Sequence, residues 1–440
     1  MVSTKDTQGY GKKYKQQKKK LRSARNDGKI SESDYEGIRQ FIAYERAHNT
    51  VNEGTLVGHM NRLRLAAERA PEESPPLPEM TLADVTDLGE VLRDEHGLSE
   101  GTLRNYRKAL RVYFKWEGKE WWESVKIGSP VKRTVESDEL LTEDQIDAML
   151  DSANLARDKA AVAMLADCGL RIGSLLSFRV KDVNLSGRVA TLTANEDANA
   201  KGASGSVPLT WSRGYVANYL DVHPTAGADS GDNDSRDPDP DAAFIHKTKR
   251  GRPSSDPEND NGALDYHYFS RQIKEIGDRA GVPRDKLNTH NFRKTAITRW
   301  VREGLPEQAI KHRSFWVKDS SQFDVYSAVT DDEMNKDIAA HYGIKAPEDA
   351  EENEDGGITE CPQCETTVRQ SSRFCPGCGN PLAQSAVNTV DYAEDAAVET
   401  AAEATGDEAQ SALNLRELIK DNPEAVAEAL TDSGVLQEDE

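Results

Sequence analysis

Four short segments in the middle of the chain contain residues that together could cleave a phosphodiester. In chain order they are Gly169-Leu170-Arg171-Ile172, Lys201-Gly202, His290-Asn291-Phe292-Arg293, and a stretch with Trp316 and Tyr326. Cleavage without a metal needs fixed cations for the non-bridging oxygens, an in-line nucleophile and an acid for the departing oxygen. Each segment alone is weak evidence, but their order predicts this chemistry.

Each residue type suits one of these roles. Arginine binds phosphate oxygens bidentately and stays charged, so Arg171 and Arg293 are candidate phosphate ligands. His290 precedes Arg293 by one helical turn and shares its face. Lys201 lies between two predicted strands, where it could act as the acid. The Tyr326 phenol is a modest nucleophile that a DNA hydroxyl can later displace.

A mostly helical domain must position these residues. Thr142 with Gln145 matches a capping box, and Leu141 with Ile146 matches a hydrophobic staple, so a helix is predicted to begin here. Strand-like segments are few, at residues 189–193, 207–210 and 243–245. The predicted fold class is mainly α with a small β-sheet (α+β).

The preceding part of the chain predicts a helical domain with one basic face. Apolar residues recur at helical spacing within 31–70, and a further helix is predicted from an N-cap at Ser99 to Trp116. Basic stripes are usually solvated faces, but five cations with no intervening acid favour a phosphate-facing surface. The stripe consists of Arg104, Arg107, Lys108, Arg111 and Lys115.

The net charge of -21 is unevenly distributed. Residues 1–30 carry ten Lys/Arg against two Asp, whereas residues 391–440 carry fifteen Asp/Glu against Arg416 and Lys420. Residues 1–30 therefore form a basic arm, either a solubilising disordered tail or a DNA contact. Residues 385–440 are predicted to be an acidic, largely disordered tail, either solvating or partner-binding.

Four of the five cysteines form two Cys-x2-Cys pairs. Such pairs are typical of a closed tetrahedral Zn²⁺ site, which leaves no open position for catalysis. The zinc is therefore expected to be structural, and the task of the ribbon stays open between a contact with another protomer, with DNA or with a partner protein. The predicted ligands are Cys361, Cys364, Cys375 and Cys378.

No apolar run approaches the roughly 20 residues needed to span a bilayer. The N-terminus is polar and Lys-rich, unlike a secretion signal. We expect a cytoplasmic protein that does not contact a membrane.

On these residues the chain resembles the tyrosine recombinases, also called phage integrases, over roughly residues 30–344. The resemblance implies a helical core-binding domain and a catalytic domain that hold double-stranded DNA between them. A catalytic domain followed by a zinc ribbon resembles the Xer-like recombinases of halophilic archaea. The implied organisation is a basic arm (1–30), a core-binding domain (31–130), a catalytic domain (139–344), a four-cysteine zinc ribbon (358–384) and the tail (385–440).

The resemblance also implies roles for individual residues. Arg171 would be the first arginine, Lys201 the general acid, and His290 with Arg293 the paired segment. Tyr326 would form a 3′-phosphotyrosyl link, without ATP or a catalytic metal. At the family's His-or-Trp position, Trp316 lies ten residues before Tyr326 and fits better than His312, which lies fourteen before it. Ser174 departs from the family, in which an acidic residue commonly follows the first arginine.

The resemblance implies a site-specific DNA recombinase or integrase that assembles as a tetramer on DNA. Two alternatives share the fold: a catalytically inactive DNA-binding regulator and a type IB topoisomerase-like relaxase. A third is an interaction protein that works through the ribbon. The target sequence, and the choice between integration, excision and chromosome resolution, are left open.

Overall fold

The structure is a computed structural model of the 440-residue chain. Lys201, Tyr326 and nearly all of the acidic segment after residue 384 lie outside the residues it describes. The chain divides into two compact units, residues 8–133 and residues 134–440, the second also including residues 2–7. The described residues are 6–48, 51–129, 135, 137–187, 189–198, 204–226, 237–248, 261–316, 323, 358–383, and single positions 386, 390, 393, 398 and 414.

Helices α1 to α5 make up the N-terminal unit. They are α1 (Tyr10–Asn26), α2 (Glu32–Ala47), α3 (Glu53–Glu68), α4 (Leu82–Asp94) and α5 (Glu100–Trp116). Helices α2 to α5 each begin at a residue whose side chain accepts a bond from the backbone N–H three residues on, namely Ser31, Asn52, Thr81 and Ser99. Because these bonds satisfy otherwise unpaired N–H groups, they fix the helix starts. The predicted helix from Ser99 to Trp116 has these bounds.

Residues 10–26 of the basic segment form α1, which packs on α3. Tyr14, Leu21 and Ala24 are buried, at spacings of seven and three residues that place them on one helix face. The alternative of a disordered tail is therefore wrong for these residues. The helix is difficult to recognise in the sequence because the segment is rich in lysine and only these three residues form its buried face.

The core of this unit centres on Phe41 of α2. Its ring meets Tyr113 edge-on at 5.5 Å between centroids and stacks on His59 at 5.9 Å. The buried Asp34 carboxylate accepts the Leu77 backbone N–H at 2.7 Å, which attaches the proline-rich connection before α4 to α2. Aromatic contacts and one satisfied buried carboxylate thus join α2, α3, α5 and this connection.

The second unit is mainly helical and is built around α7. Its helices are α6 (Glu143–Asp151), α7 (Ala156–Cys168), α8 (Ile172–Leu175), α9 (Arg213–Asp221), α10 (Tyr266–Arg279), α11 (Thr289–Arg302) and α12 (Glu307–Arg313). Residues 160–166 of α7 are at most 1% exposed, because α6, α9 and α11 pack around them. The predicted capping box of Thr142 and Gln145 opens α6, and Leu141 and Ile146 are both buried in the core.

A small antiparallel sheet lies within this unit. It consists of β1 (Val183–Asn184), β2 (Thr191–Thr193) and β3 (Ser206–Pro208), with Leu192 opposite Val207. Two of the predicted strands are thereby found, and Lys201 belongs by sequence to the connection between β2 and β3. The third, at 243–245, is wrong: Ala243 makes an isolated bridge with Arg179. This apolar run is buried but does not pair as a strand. Hydrophobicity alone does not distinguish a buried strand from a buried segment of another conformation.

The cysteine segment follows as a second hairpin, β4 (Ile358–Glu360) paired with β5 (Thr367–Arg369). The observed fold is thus mainly α with small antiparallel sheets, as predicted. Among the described residues, no helix is long and apolar enough to cross a membrane.

The N-terminal unit should lose stability in mild acid because of His59. Burial, with help from Arg62, lowers the pKa of His59 to about 4. The unfolded chain binds this proton near pH 6.5, so stability present above that pH is lost as the pH falls toward 4, with a slope of up to about 1.4 kcal/mol per pH unit. Hydrogen exchange of α2 and α3 between pH 7 and 4.5 should show a shallower loss in His59→Leu.

The matched control is His96→Asn, since His96 is exposed. It should reproduce the pH dependence of the original protein. Equal pH dependence in His59→Leu and the original protein would contradict the assignment.

Candidate active site and metal centre

The segment with Arg171 is positioned by the end of α7. Gly169 ends that helix with a left-handed backbone, φ 55°, and Arg171 is the N-cap of α8. A Cβ atom on Gly169 would lie 3.1 Å from both Ala296 Cβ and the Trp300 ring of α11. Glycine is required here because both the backbone angle and the closeness of α11 disfavour a side chain. Arg171 itself is partly buried.

Arg293 on α11 brings three of the four segments to one point. Its Nη1 donates to the Gly169 carbonyl at 2.7 Å, and its Nη2 donates to the Ser314 carbonyl at 2.9 Å. The guanidinium carbon also lies 5.0 Å from the centroid of the Trp316 ring. The side chain is 2% exposed, so in this state Arg293 is bound to protein carbonyls and covered by the ring.

The two candidates for the His-or-Trp position are placed differently. Trp316 is half-buried against Arg293, whereas the His312 side chain lies exposed in the last turn of α12. Phe315 between them has a positive φ of 51°, which is uncommon for a bulky residue. This backbone geometry turns the chain after α12, and Trp316 N then donates to the Lys311 carbonyl at 2.9 Å.

His290 lies in the first turn of α11. The Asn288 side chain caps that helix by accepting from the backbone N–H groups of His290 and Asn291, each at 3.1 Å. The imidazole of His290 is exposed. It therefore lies in solvent one helical turn before Arg293, which is buried on the same helix.

A buried carboxylate that sequence reasoning missed supports the same region. Asp167, fully buried on α7, accepts from Ser212 Oγ at 2.6 Å, from the Thr210 backbone N–H at 2.8 Å, and from Arg313 Nη2 at 2.8 Å. These bonds join α7 to the end of β3 and to α12. An aspartate inside the apolar run before Gly169 was the available signal, because such a carboxylate must be paired.

The five cations of the stripe on α5 are not equivalent. Arg107 pairs with Glu100 at 3.3 Å, and Arg104 donates to the Gly128 carbonyl at 3.2 Å. Arg111 and Lys115 lie over the Trp122 ring, at 5.1 and 5.0 Å from its centroid. Lys108 and Lys115 are the exposed members. Several cations of the stripe therefore already contact other groups of the same unit.

A second basic surface, within the segment for which the sequence left a DNA contact as one alternative, lines a groove between α1 and α2. The groove has a volume of about 440 Å³. Its cationic and aromatic lining comprises Tyr14, Lys15, Lys18, Lys19, Arg22, Tyr35 and Arg39. Arg39 is paired with Glu36 at 2.7 Å, while Lys15, Lys18 and Lys19 are exposed. We call this surface the α1 groove.

The four predicted cysteine ligands converge. Their Sγ atoms all lie within 4.8 Å of one another, with Cys361–Cys378 at 3.7 Å and Cys364–Cys375 at 3.5 Å. A tetrahedral ion with Zn–S bonds of about 2.3 Å would separate its sulfurs by about 3.8 Å. The arrangement fits a metal held by four thiolates.

Comparison with known proteins agrees with this architecture. Residues 139–333 match the phage integrase family. Three curated proteins named tyrosine recombinase XerA are also similar to the chain. An integrase of the transposon Tn1549, solved with transposon right-end DNA, has a TM-score of 0.50 and 17% identity, over 69% of this chain and 98% of that one.

The curated relatives are similar over part of their length. The XerA of Pyrococcus horikoshii is 34% identical over 88 residues, which are 20% of this chain and 30% of the relative. The XerA of Saccharolobus solfataricus is 22% identical over 46% of this chain and 55% of the relative. The XerA of Pyrococcus furiosus is 22% identical over 49% of this chain and 65% of the relative. The chain therefore spans less than two thirds of each of these relatives.

Gly169→Ala should destabilise the second unit and disturb the support of Arg171. The left-handed backbone alone disfavours alanine by about 1–2 kcal/mol, and the contact with Trp300 adds to this cost. Denaturant unfolding of the full chain measures the change. Gly281→Ala is the matched control, since Gly281 has φ 69° with nothing within 4 Å of an added Cβ. An equal loss in both variants would contradict a steric role for α11 at Gly169.

Proposed function

We propose that this protein is a site-specific DNA recombinase or integrase that works through a phosphotyrosine. The observation that carries the proposal is the position of the Arg293 guanidinium, between the carbonyl that precedes Arg171 and the segment of Ser314 and Trp316. Three of the four reactive segments, far apart in sequence, thereby meet within one domain. The match of residues 139–333 to the phage integrase family supports the same interpretation.

In the proposed reaction the Tyr326 oxygen attacks the scissile phosphorus, and the bond from phosphorus to the 5′-oxygen breaks. Lys201 gives a proton to that departing oxygen, while Arg171, Arg293 and His290 stabilise charge on the non-bridging oxygens. Trp316 rather than His312 donates to the phosphate through its indole N–H. A 5′-hydroxyl of the partner strand then displaces the tyrosine, so that the bond energy is retained without ATP or a catalytic metal.

Arg293 can contact a phosphate only after part of its guanidinium is uncovered. In the described state it is 2% exposed, and both terminal nitrogens donate to carbonyls. We therefore propose that DNA binding moves the Ser314–Trp316 segment away from Arg293. The phosphate would then accept the hydrogen bond of Arg293 in place of the Ser314 carbonyl. This bond would be stronger because the phosphate is negatively charged.

Zn²⁺ is the metal that the four thiolates fit best, and its role would be structural because four protein ligands close the coordination sphere. Double-stranded DNA is the proposed partner, contacted by the stripe on α5 and by the α1 groove. Because two duplexes must exchange strands, we propose that four copies assemble on DNA.

A nicked suicide substrate tests the chemistry. The full chain should form a covalent protein–DNA adduct that Tyr326→Phe abolishes, since phenylalanine has no attacking oxygen. Tyr342 is the next tyrosine along the chain, so Tyr342→Phe is the matched control and should keep the adduct. Arg171→Ala should slow adduct formation by about 10²- to 10³-fold, the usual effect of losing one transition-state donor.

The adduct assay, combined with assays of DNA binding and of supercoil relaxation, separates the alternatives. Tight DNA binding without any adduct would favour a catalytically inactive regulator. Relaxation of supercoiled DNA without dependence on sequence would favour a type IB topoisomerase-like relaxase. Either outcome would overturn the proposed recombinase.

DNA binding should depend on both basic surfaces. Neutralising Lys15 and Lys18 to glutamine, or Lys108 and Lys115, should each reduce the slope of log K against log[salt] by up to about 1.8, because each lost phosphate contact removes about 0.9. Filter binding or fluorescence anisotropy at salt concentrations from about 50 to about 300 mM measures the slope. Glutamine at Arg271 and Lys274, exposed cations of α10, is the matched control. An unchanged slope after the α1 substitutions would exclude the α1 groove from the DNA contact.

A further inference from the structure

The cysteine ribbon (residues 358–383) is seated on the second unit through Arg369. This β5 side chain is 2% exposed. Its Nη1 lies 3.0 Å from Glu143 Oε2, its Nη2 pairs with the Asp147 carboxylate, and its guanidinium carbon lies 4.4 Å from the centroid of the Trp211 ring. Burial lowers the pKa of Arg369, and the Glu143 carboxylate opposes that effect by stabilising the cation.

A second contact comes from the turn between Cys375 and Cys378. Asn218 of α9 donates to the Pro376 carbonyl. A Cβ atom on Gly214, one turn earlier in α9, would lie 2.8 Å from Pro376 Cγ and 3.1 Å from the Gly377 nitrogen. Since Cys375 and Cys378 are candidate metal ligands, a bound metal would hold this turn in the shape that fits against α9.

The carboxylate that binds Arg369 also binds the helix of the active site. Glu143 Oε1 lies 3.4 Å from Arg299 Nη1, and Arg299 Nη2 donates to the Ala166 carbonyl at 3.2 Å. Arg299 is on α11, which carries His290 and Arg293. Ala166 is on α7, three residues before Gly169. One chain of charged contacts therefore runs from the ribbon to both helices that position the arginines.

We propose that the ribbon is an intramolecular brace, and that Arg369 is a positioning residue that fixes α6 and α11 through Glu143 and Arg299. Its metal keeps the brace in place by holding the turn that meets α9. Because the Arg369 side chain is buried against α6 and the Trp211 ring, this face of the ribbon is not a surface for a partner protein. Removing Arg369 leaves Glu143 and Asp147 without their shared cation, which loosens the start of α6.

The test compares Arg369→Met with Arg373→Met in the full chain loaded with Zn²⁺. Arg373 is also in the ribbon, but its side chain is exposed. Both variants should keep one bound zinc, measured by metal analysis. In Arg369→Met alone, hydrogen exchange at the start of α6 and in α11 should become at least about tenfold faster. Adduct formation on the suicide substrate should slow by about 10- to 100-fold, since small displacements of positioned groups have effects of this size.

Gly214→Ala provides a second, independent disturbance of the same interface. Alanine is a better helix former than glycine, so the variant should fold, yet its Cβ would push against Pro376. The same exchange changes are expected in α6 and α11. Gly89→Ala is the matched control, because Gly89 lies within α4 with nothing within 4 Å of an added Cβ.

The outcomes are distinct. Exchange in α6 and α11 that is unchanged in both Arg369→Met and Gly214→Ala would overturn the brace. Faster exchange with an unchanged rate of adduct formation would overturn the positioning role of Arg369. Only the adduct rate rests on the proposed recombinase function. A chain that forms no adduct at all would overturn that function, whereas the exchange measurements would still test the brace.

Discussion

The buried guanidinium of Arg293 is the interaction on which the rest of the site depends. A buried cation must have its donors satisfied, and Arg293 achieves this by bonding the carbonyls of Gly169 and Ser314. The Gly169 carbonyl is available only because the chain leaves α7 in a left-handed turn directly against α11. The packing of the end of α7 against α11 therefore also brings the segments of Arg171 and Trp316 together.

Charged side chains connect the helices around this point. Asp167 joins α7 to α12 and to the end of β3, and Glu143 joins α6 to α11 and to the ribbon. Buried ion pairs contribute little net stability, since desolvation offsets their attraction, but breaking one partner is costly. We infer that these pairs serve mainly to specify one arrangement of the helices. The cysteine ribbon then belongs to the supporting structure of the site.

The charge distribution gains a physical meaning once α1 is placed. The chain is acidic as a whole, yet α1 presents exposed lysines beside aromatic rings, with an apolar face packed on α3. A folded helix holds its cations at fixed spacing, whereas a disordered arm would have to be ordered on binding, at a cost in entropy. A preformed surface of this kind suits phosphate contacts in a protein whose net charge opposes DNA binding.

Local patterns in the sequence determined the helix from Ser99 to Trp116, the capping box at Thr142, two strands of the sheet and the four cysteines. They did so because capping, alternation and metal-ligand spacing act over a few residues. Three other features depend on tertiary packing. They are the helical state of residues 10–26, the absence of a strand at 243–245, and the burial of Arg293 against Trp316. The partners of Asp167 and Arg369 could not be identified from the sequence, because they are 43 or more residues away and meet these side chains only when the helices pack.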